Sequence, residues 1–273
     1  MNRIDETFKR LKKKNQKAFI PYITCGDPSL EKTLKIINIL EENGADILEL
    51  GIPHSDPVAD GKTIQTSVER ALRCGITPKK VLEVLEITRE RYKIPIVLLT
   101  YYNIVLQYGI KKFVFDFSRV SDGLIVADLP PEESFELVKY SRNYNFSNIF
   151  LVSPITPRKR LQRILKVTTG FLYVVSLLGV TGEREKLSQN IYDFMREMRE
   201  YTKIPMCVGF GISKPEHVSE VLKLGADGAI VGSGIVRRVG NLEEVKEYVR
   251  EMSAPTKNRK PYKPSCSGGE YEC

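Results

Sequence analysis

Short apolar runs alternate with segments whose apolar residues recur at the helical period, and the alternation repeats along most of the chain. The runs that predict strands are Ala18–Thr24, Ile47–Gly51, Ile96–Thr100, Gly123–Val126, Ile149–Val152, Phe171–Val175, Met206–Gly209 and Gly228–Val231. Most are almost wholly apolar, as expected for parallel strands covered on both faces. The first is interrupted by Pro21. Between the runs lie predicted helices. Leu30–Asn43 ends at Gly44, a C-cap residue. Thr63–Cys74 and a helix opened by Thr77 and Pro78, running to Arg91, share the longest gap. Pro131–Asn143, Arg158–Lys166, Asn190–Tyr201, Pro215–Leu224 and Leu242–Met252 follow. Ahead of them all, Ile4, Phe8 and Leu11 share one face of an N-terminal surface helix.

Eight strand–helix units in roughly 250 residues predict a closed (β/α)₈ TIM barrel with an extra N-terminal helix. The rival, an open doubly wound sheet, wants a GxGxxG turn after the first strand, where Thr24-Cys25-Gly26-Asp27-Pro28 stands instead. The barrel is assigned to residues 1–252 as one domain. Residues 253–273 lack an apolar period and are read as a disordered tail.

Composition narrows the class. The 273 residues are 42% hydrophobic and 28% charged, the balance of a globular protein. No stretch approaches the ~20 apolar residues of a membrane span, and no apolar signal segment opens the chain. The five cysteines form no CxxC pair, which fits a reduced, cytoplasmic protein. Only His54 and His217 are histidines, neither with ligand spacing, so no metal site is expected. The net charge of +8 is spread through helices that also carry acids, without an aromatic–basic stripe, so nucleic acid is not the expected partner.

The chemistry concentrates in Ile47-Leu48-Glu49-Leu50-Gly51-Ile52-Pro53-His54-Ser55-Asp56-Pro57-Val58-Ala59-Asp60-Gly61. A carboxylate inside an apolar strand is costly to bury. Strand alternation points Glu49 away from Leu48 and Leu50, and a confined carboxyl acquires a raised pKa suited to acid–base work. The plainer alternative is a structural ion pair with a lysine or arginine. Barrel active sites lie at the C-terminal strand ends, which Glu49 and Asp60 both reach. Asp56-Pro57 and Asp60-Gly61 are also ordinary turn formers, and Asp56 is read as loop shape. Leu178-Gly179-Val180-Thr181-Gly182, Gly209-Phe210-Gly211-Ile212-Ser213 and Gly232-Ser233-Gly234-Ile235 follow the last three strands. Backbone N–H groups approach an anion closely at glycines, and a helix is expected to begin at Ser233, so these loops point to phosphate. Asp128 is either a partner of the site or a helix cap. Phe19, Tyr22, Leu99, Tyr173 and Phe210 are candidates for an apolar lining.

These motifs resemble the tryptophan synthase alpha chain family over roughly residues 1–250. The matching words are Phe19-Ile20-Pro21-Tyr22-Ile23-Thr24 with Gly26-Asp27-Pro28, Glu49-Leu50-Gly51-Ile52-Pro53 with Ser55-Asp56-Pro57 and Ala59-Asp60-Gly61, then Ala127-Asp128-Leu129-Pro130, Gly179-Val180-Thr181-Gly182 and Gly209-Phe210-Gly211-Ile212. The resemblance implies retro-aldol cleavage of indole-3-glycerol phosphate to indole and glyceraldehyde 3-phosphate, in tryptophan biosynthesis. It implies no metal or cofactor in this chain. It further implies a beta-chain partner that carries pyridoxal phosphate and takes the indole, in an α2β2 tetramer. On that likeness Glu49 is the acid–base group and Asp60 engages the indole N–H. Gly182, Gly211, Gly232 and Ser233 hold the phosphate, and Thr181 meets Asp60 when its loop closes. Asp56, Pro57 and Asn103 lie where the family meets its partner. His54 stands where an apolar aromatic is common, and Leu177-Leu178 precede Gly179 where some members carry arginine.

Three other readings have their own signatures. Another phosphate-binding barrel enzyme would want a lysine near a strand end, and no predicted strand contains one. A glycosidase would leave the phosphate loops idle. A barrel kept only to activate another subunit would have no use for a buried carboxyl.

Overall fold

Eight parallel strands close into a ring in the computed structural model, which describes residues 2–175, 184–209 and 211–257, with backbone alone for 184–190. Seven are continuous: Ala18–Thr24, Leu48–Gly51, Ile96–Thr100, Gly123–Val126, Leu172–Val175, Met206–Gly209 and Gly228–Val231. The fifth is split into Ser147–Asn148 and Leu151–Val152. Its first piece pairs with the fourth strand and its second with the sixth. Across the break, the Ile149 N–H donates to the Leu124 carbonyl (2.9 Å) and the Tyr173 N–H to the Phe150 carbonyl (3.0 Å), so the ring is stitched on both sides of the split strand. The expected barrel is what forms.

Strand alternation sorts the apolar side chains into two layers. Ala18, Ile20, Ile47, Val97, Ile125, Ile149, Phe171 and Ile230 fill the inside of the ring. Phe19, Ile23, Leu48, Leu50, Leu98 and Val174 face the surrounding helices. Phe19 is therefore core and not pocket lining: it is one position out of phase with Ala18, Ile20 and Tyr22. The N-terminal helix Arg3–Lys13 closes the bottom of the barrel, with Ile4 and Leu11 in the inner layer and Phe8 6.0 Å from the Phe171 ring.

Carboxylates pin the closed end. Asp46 accepts the Phe19 N–H (2.9 Å), Asp122 the Ile96 N–H (2.8 Å) and Asp227 the Met206 N–H (3.0 Å). Each is also paired with cations: Asp46 with Arg10 and Lys257, Asp122 with Arg3 and Arg89, Asp227 with Lys17 and Arg199. Polar network at this end of a barrel serves stability, leaving the other end for chemistry.

Several boundaries differ from expectation. Two helices after the third strand, Tyr102–Tyr108 and Ile110–Phe117, had no counterpart in the sequence reading. Pro131–Asn143 is a 3₁₀ turn, Pro131–Glu133, followed by the helix Phe135–Asn143. The helix at Ser233 is a single turn, Ser233–Val236. The start of the supposed tail is structured: the last helix runs Leu242–Ser253 and a 3₁₀ turn covers Ala254–Lys257. The Lys17 N–H donates to the Thr256 carbonyl (2.9 Å), Thr256 is buried, and Lys257 reaches Asp46. Residues 258–273 lie outside the described residues.

Candidate functional site

Glu49 sits on the inward face of the second strand, beside Tyr22 on the first and Val97 on the third. It is 1% exposed, and its Oε2 has no hydrogen-bond partner among the described residues. Among the described residues no lysine or arginine pairs with it, against the structural alternative of a neutralised glutamate. Burial, and secondarily the nearby Asp60 carboxylate, push its carboxyl up to about 8. At neutral pH it therefore holds its proton. An unpaired ionised carboxylate at this depth would be far costlier.

Asp60 comes from the loop after the same strand. The Tyr101 hydroxyl donates to Asp60 Oδ2 (2.9 Å), and the Ala59 N–H donates to the same hydroxyl (3.0 Å). Tyr101, at the end of the third strand, is a buried peg that ties this loop to the barrel. The His54 ring meets Tyr101 edge-on at 5.0 Å, so His54 supplies the aromatic contact here. Burial raises the Asp60 carboxyl above its ordinary range, and the Tyr101 hydrogen bond opposes that rise. Two carboxyls thus reach one cavity in different settings: one without a partner on one oxygen, the other held by a phenol. Such a difference separates their protonation states.

Tyr22 and Tyr173 complete the walls, and each needs a glycine on the neighbouring strand. A Cβ at Gly51 would lie 2.3 Å from the Tyr22 hydroxyl, and one at Gly209 would lie 2.3 Å from that of Tyr173. Both rings lean across their neighbour toward the barrel mouth. The Tyr22 hydroxyl is held by Thr24 Oγ1 at 3.1 Å.

The cavity has a volume of about 360 Å³, within the ordinary range of small-ligand sites. Of the expected site residues it joins Tyr22, Glu49, Asp60, Leu99, Tyr173, Gly211, Gly232 and Ser233. Gly211 has φ +73°, a left-handed conformation that favours glycine. Thr181, Gly182 and Phe210 lie outside the described residues, as do Leu177 and Leu178. Asp56, Pro57 and Asn103 are not part of the lining. Asp56 and Asn103 are exposed and Pro57 is half-buried, all around the mouth. Asp128 accepts the Tyr102 N–H (2.7 Å) and so caps the start of Tyr102–Tyr108 from the next strand's loop.

Sequence reasoning missed further walls. Leu151 and Ile230 were within reach of it, because each lies at an inward position of its strand. Arg237 was not. It lies one turn beyond Ser233, lines the cavity beside the glycine loops, and reaches Thr63 Oγ1 across the mouth at 3.4 Å. No lysine lines the cavity among the described residues, so a Schiff-base aldolase is not supported. No cluster of His, Cys, Asp and Glu able to hold a metal occurs among them either.

Set against known proteins, residues 8–263 match the family model described as tryptophan synthase alpha chain. The chain is 47% identical over 260 residues to the tryptophan synthase alpha chain of Caldanaerobacter subterraneus subsp. tengcongensis, covering 92% of this chain and 98% of that one. It superposes with a TM-score of 0.87 on the crystal structure of tryptophan synthase subunit alpha from Legionella pneumophila, at 34% identity over 94% of this chain and 99% of that one. A chain of the aminoacrylate-bound tryptophan synthase from M. tuberculosis superposes with a TM-score of 0.85 at 29% identity, over 94% of this chain and 100% of that one.

Proposed function

The chain belongs to the tryptophan synthase alpha chain family, and from that premise we propose how its residues divide the work of the reaction. It is a carbon–carbon lyase that cleaves indole-3-glycerol phosphate to indole and glyceraldehyde 3-phosphate in tryptophan biosynthesis. The observation that carries the assignment of roles is the protonated Glu49, its Oε2 without a hydrogen-bond partner among the described residues, lining one cavity with Asp60.

The Glu49 carboxyl donates its proton to the indole carbon that bears the glycerol chain. The ring becomes an indoleninium cation, and Asp60 faces its N–H and stabilises the positive charge. The carbon–carbon bond then breaks. Its electron pair returns to the ring and quenches the cation. The carboxylate left on Glu49 takes the proton of the adjacent hydroxyl as that carbon becomes the aldehyde. Glu49 ends as it began, protonated, having acted as acid and then as base. Tyr22, Leu99 and Tyr173 confine the ring, with Phe210 assigned the same task. Gly211, Gly232 and Ser233 hold the phosphate through backbone groups together with Gly182, and Arg237 adds a cation beside them. Thr181 closes over Asp60. Indole-3-glycerol lacking the phosphate should bind weaker by about 10²-fold or more, since each charge-assisted bond lost is worth about 1.5–3 kcal/mol. Competition against the phosphorylated substrate measures it, and equal affinity would place the phosphate elsewhere.

The alpha chain does not itself bind pyridoxal phosphate, and the family works with a beta chain. We assign no cofactor to this chain, an α2β2 assembly with the partner, and a cytoplasmic location. Among the described residues no helix is long and apolar enough to cross a membrane. Partner contact is assigned to Asp56, Pro57 and Asn103. Support comes from exposed apolar residues at the same end: Val58, Leu106, Phe135 and Ile155 stand on the segments after the second to fifth strands, with Phe135 78% and Ile155 85% exposed. Grouped apolar exposure of this kind marks interaction surfaces. Phe135→Asp should weaken beta-chain binding by at least about 30-fold, as titrated by calorimetry, while the isolated chain keeps its basal indole release. Unchanged affinity would move the interface.

A further inference from the structure

The loops after the seventh and eighth strands carry the residues assigned to the phosphate. Gly211 and Ser213 belong to one, Gly232 and Gly234 to the other. The last helix reaches both of them. The buried Tyr248, on the last helix, donates its hydroxyl to the Ser213 carbonyl at 3.0 Å. The Ser213 N–H is held as well, by His217 Nδ1 at 3.3 Å. From the other loop, the Arg238 guanidinium stacks over the Tyr248 ring at 4.2 Å while its Nη1 donates to the Gly234 carbonyl at 2.7 Å. Gly234 itself makes room: a Cβ there would lie 1.9 Å from the Tyr248 hydroxyl and 2.5 Å from the ring carbon that bears it. One side chain thus touches both loops.

We infer that Tyr248, stacked under Arg238, is a positioning residue that sets the spacing of the two phosphate loops from the last helix, and that Gly234 is glycine because this brace fills its side-chain space. A ring wedged between two loops fixes their separation more firmly than a hydrogen bond alone, because neither loop can approach the other without a clash. Phosphate recognition by backbone N–H groups is sensitive to such spacing: sub-ångström misplacement lengthens every bond at once. The brace lies at the phosphate end and does not touch Glu49 or Asp60, so it should govern binding of the phosphate and not the proton transfers.

The inference rests on the placement of phosphate at these loops, and the test separates the two. Tyr248→Phe removes only the hydroxyl and keeps the stacked ring. With the full chain, the dissociation constant for glyceraldehyde 3-phosphate should rise about fivefold, the size of one lost neutral hydrogen bond. Indole affinity should stay unchanged, and KM for indole-3-glycerol phosphate should rise while kcat holds. Gly234→Ala should produce the same selective loss by displacing the ring. Adding Tyr248→Phe to Gly234→Ala should cost little more, because the bond is already broken. Unchanged glyceraldehyde 3-phosphate affinity, equal weakening of indole, or fully additive losses would each overturn the brace. Ser233→Glu puts a carboxylate in the cradle. If it leaves glyceraldehyde 3-phosphate binding intact, the phosphate site itself is misplaced. If it abolishes binding while Tyr248→Phe changes nothing, only the brace is wrong.

Discussion

Glu49→Gln is expected to cut indole release by roughly 10⁴-fold, the upper end of what one acid–base group contributes, because the same carboxyl gives the first proton and takes the second. Substrate binding should hold within a few-fold, since glutamine preserves shape. The second consequence runs the other way and concerns stability. The folded carboxyl titrates near 8 and the unfolded one near its ordinary 4.5. Between those values the folded chain keeps a proton that the unfolded chain has released, so stability falls as pH rises through this window. Below it no cost is felt; above it the full cost remains. Each unit of separation is worth about 1.4 kcal/mol, so the wild type should lose on the order of 4 kcal/mol relative to Glu49→Gln between pH 4.5 and 8. Denaturant unfolding of both proteins at pH 5 and pH 8 reads this directly. A catalytic residue that destabilises its own fold is held there by use. Retained turnover would remove Glu49 from the chemistry, and a difference independent of pH would mean that it ionises normally.

Asp60→Asn is the second large effect. Asparagine can still accept the Tyr101 hydroxyl, now made to Asp60 at 2.9 Å, so the loop should stay in place. The negative charge opposite the cationic ring is lost. Removing a preorganised charge of this kind costs about 10²–10³-fold in kcat. The pH profile should move as well. After burial, Asp60 is the other cause raising the Glu49 carboxyl. Neutralising it lets Glu49 release its proton at lower pH. The alkaline fall in kcat/KM should therefore shift to more acidic pH in Asp60→Asn. Single-turnover indole release across pH 6 to 9 tests both parts together. A near-normal rate would move the N–H contact to another residue, and an unshifted alkaline limb would mean that the two carboxyls do not sense one another.

What could be read from the chain followed from local rules. Alternation along the second strand turned Glu49 inward because Leu48 and Leu50 had to meet the helices. The same rule, applied with its phase, separates Tyr22 in the cavity from Phe19 in the core, which residue type alone did not. The fifth strand begins at Ser147, earlier than its apolar run, and the Asn148 backbone is paired on both sides with Thr169: its N–H donates to the Thr169 hydroxyl at 2.8 Å and its carbonyl accepts the Thr169 N–H at 2.8 Å. The helices Tyr102–Tyr108 and Ile110–Phe117 have no cap from their own N-cap residues, Tyr101 and Gly109, and Gly109 divides them at φ +89°. No start signal announced them. Contacts across the fold were out of reach for a different reason. Tyr101 reaches Asp60 over 41 positions, and Tyr248 reaches Ser213 over 35. Nothing in the spacing encodes such partners; only the closed ring brings them together. Lys257 likewise reads as one more base in a polar run, yet it bonds to Asp46 at the bottom of the barrel.

This fold keeps a proton on Glu49 at the pH where it works. The direct measurement is a carbon-13 NMR titration of the glutamate carboxyls in the full chain, with Glu49→Gln assigning the resonance. A midpoint near 8 is the expected result. A midpoint in the ordinary range near 4.5 would contradict it, since the carboxyl would then be ionised at neutral pH with no proton to give.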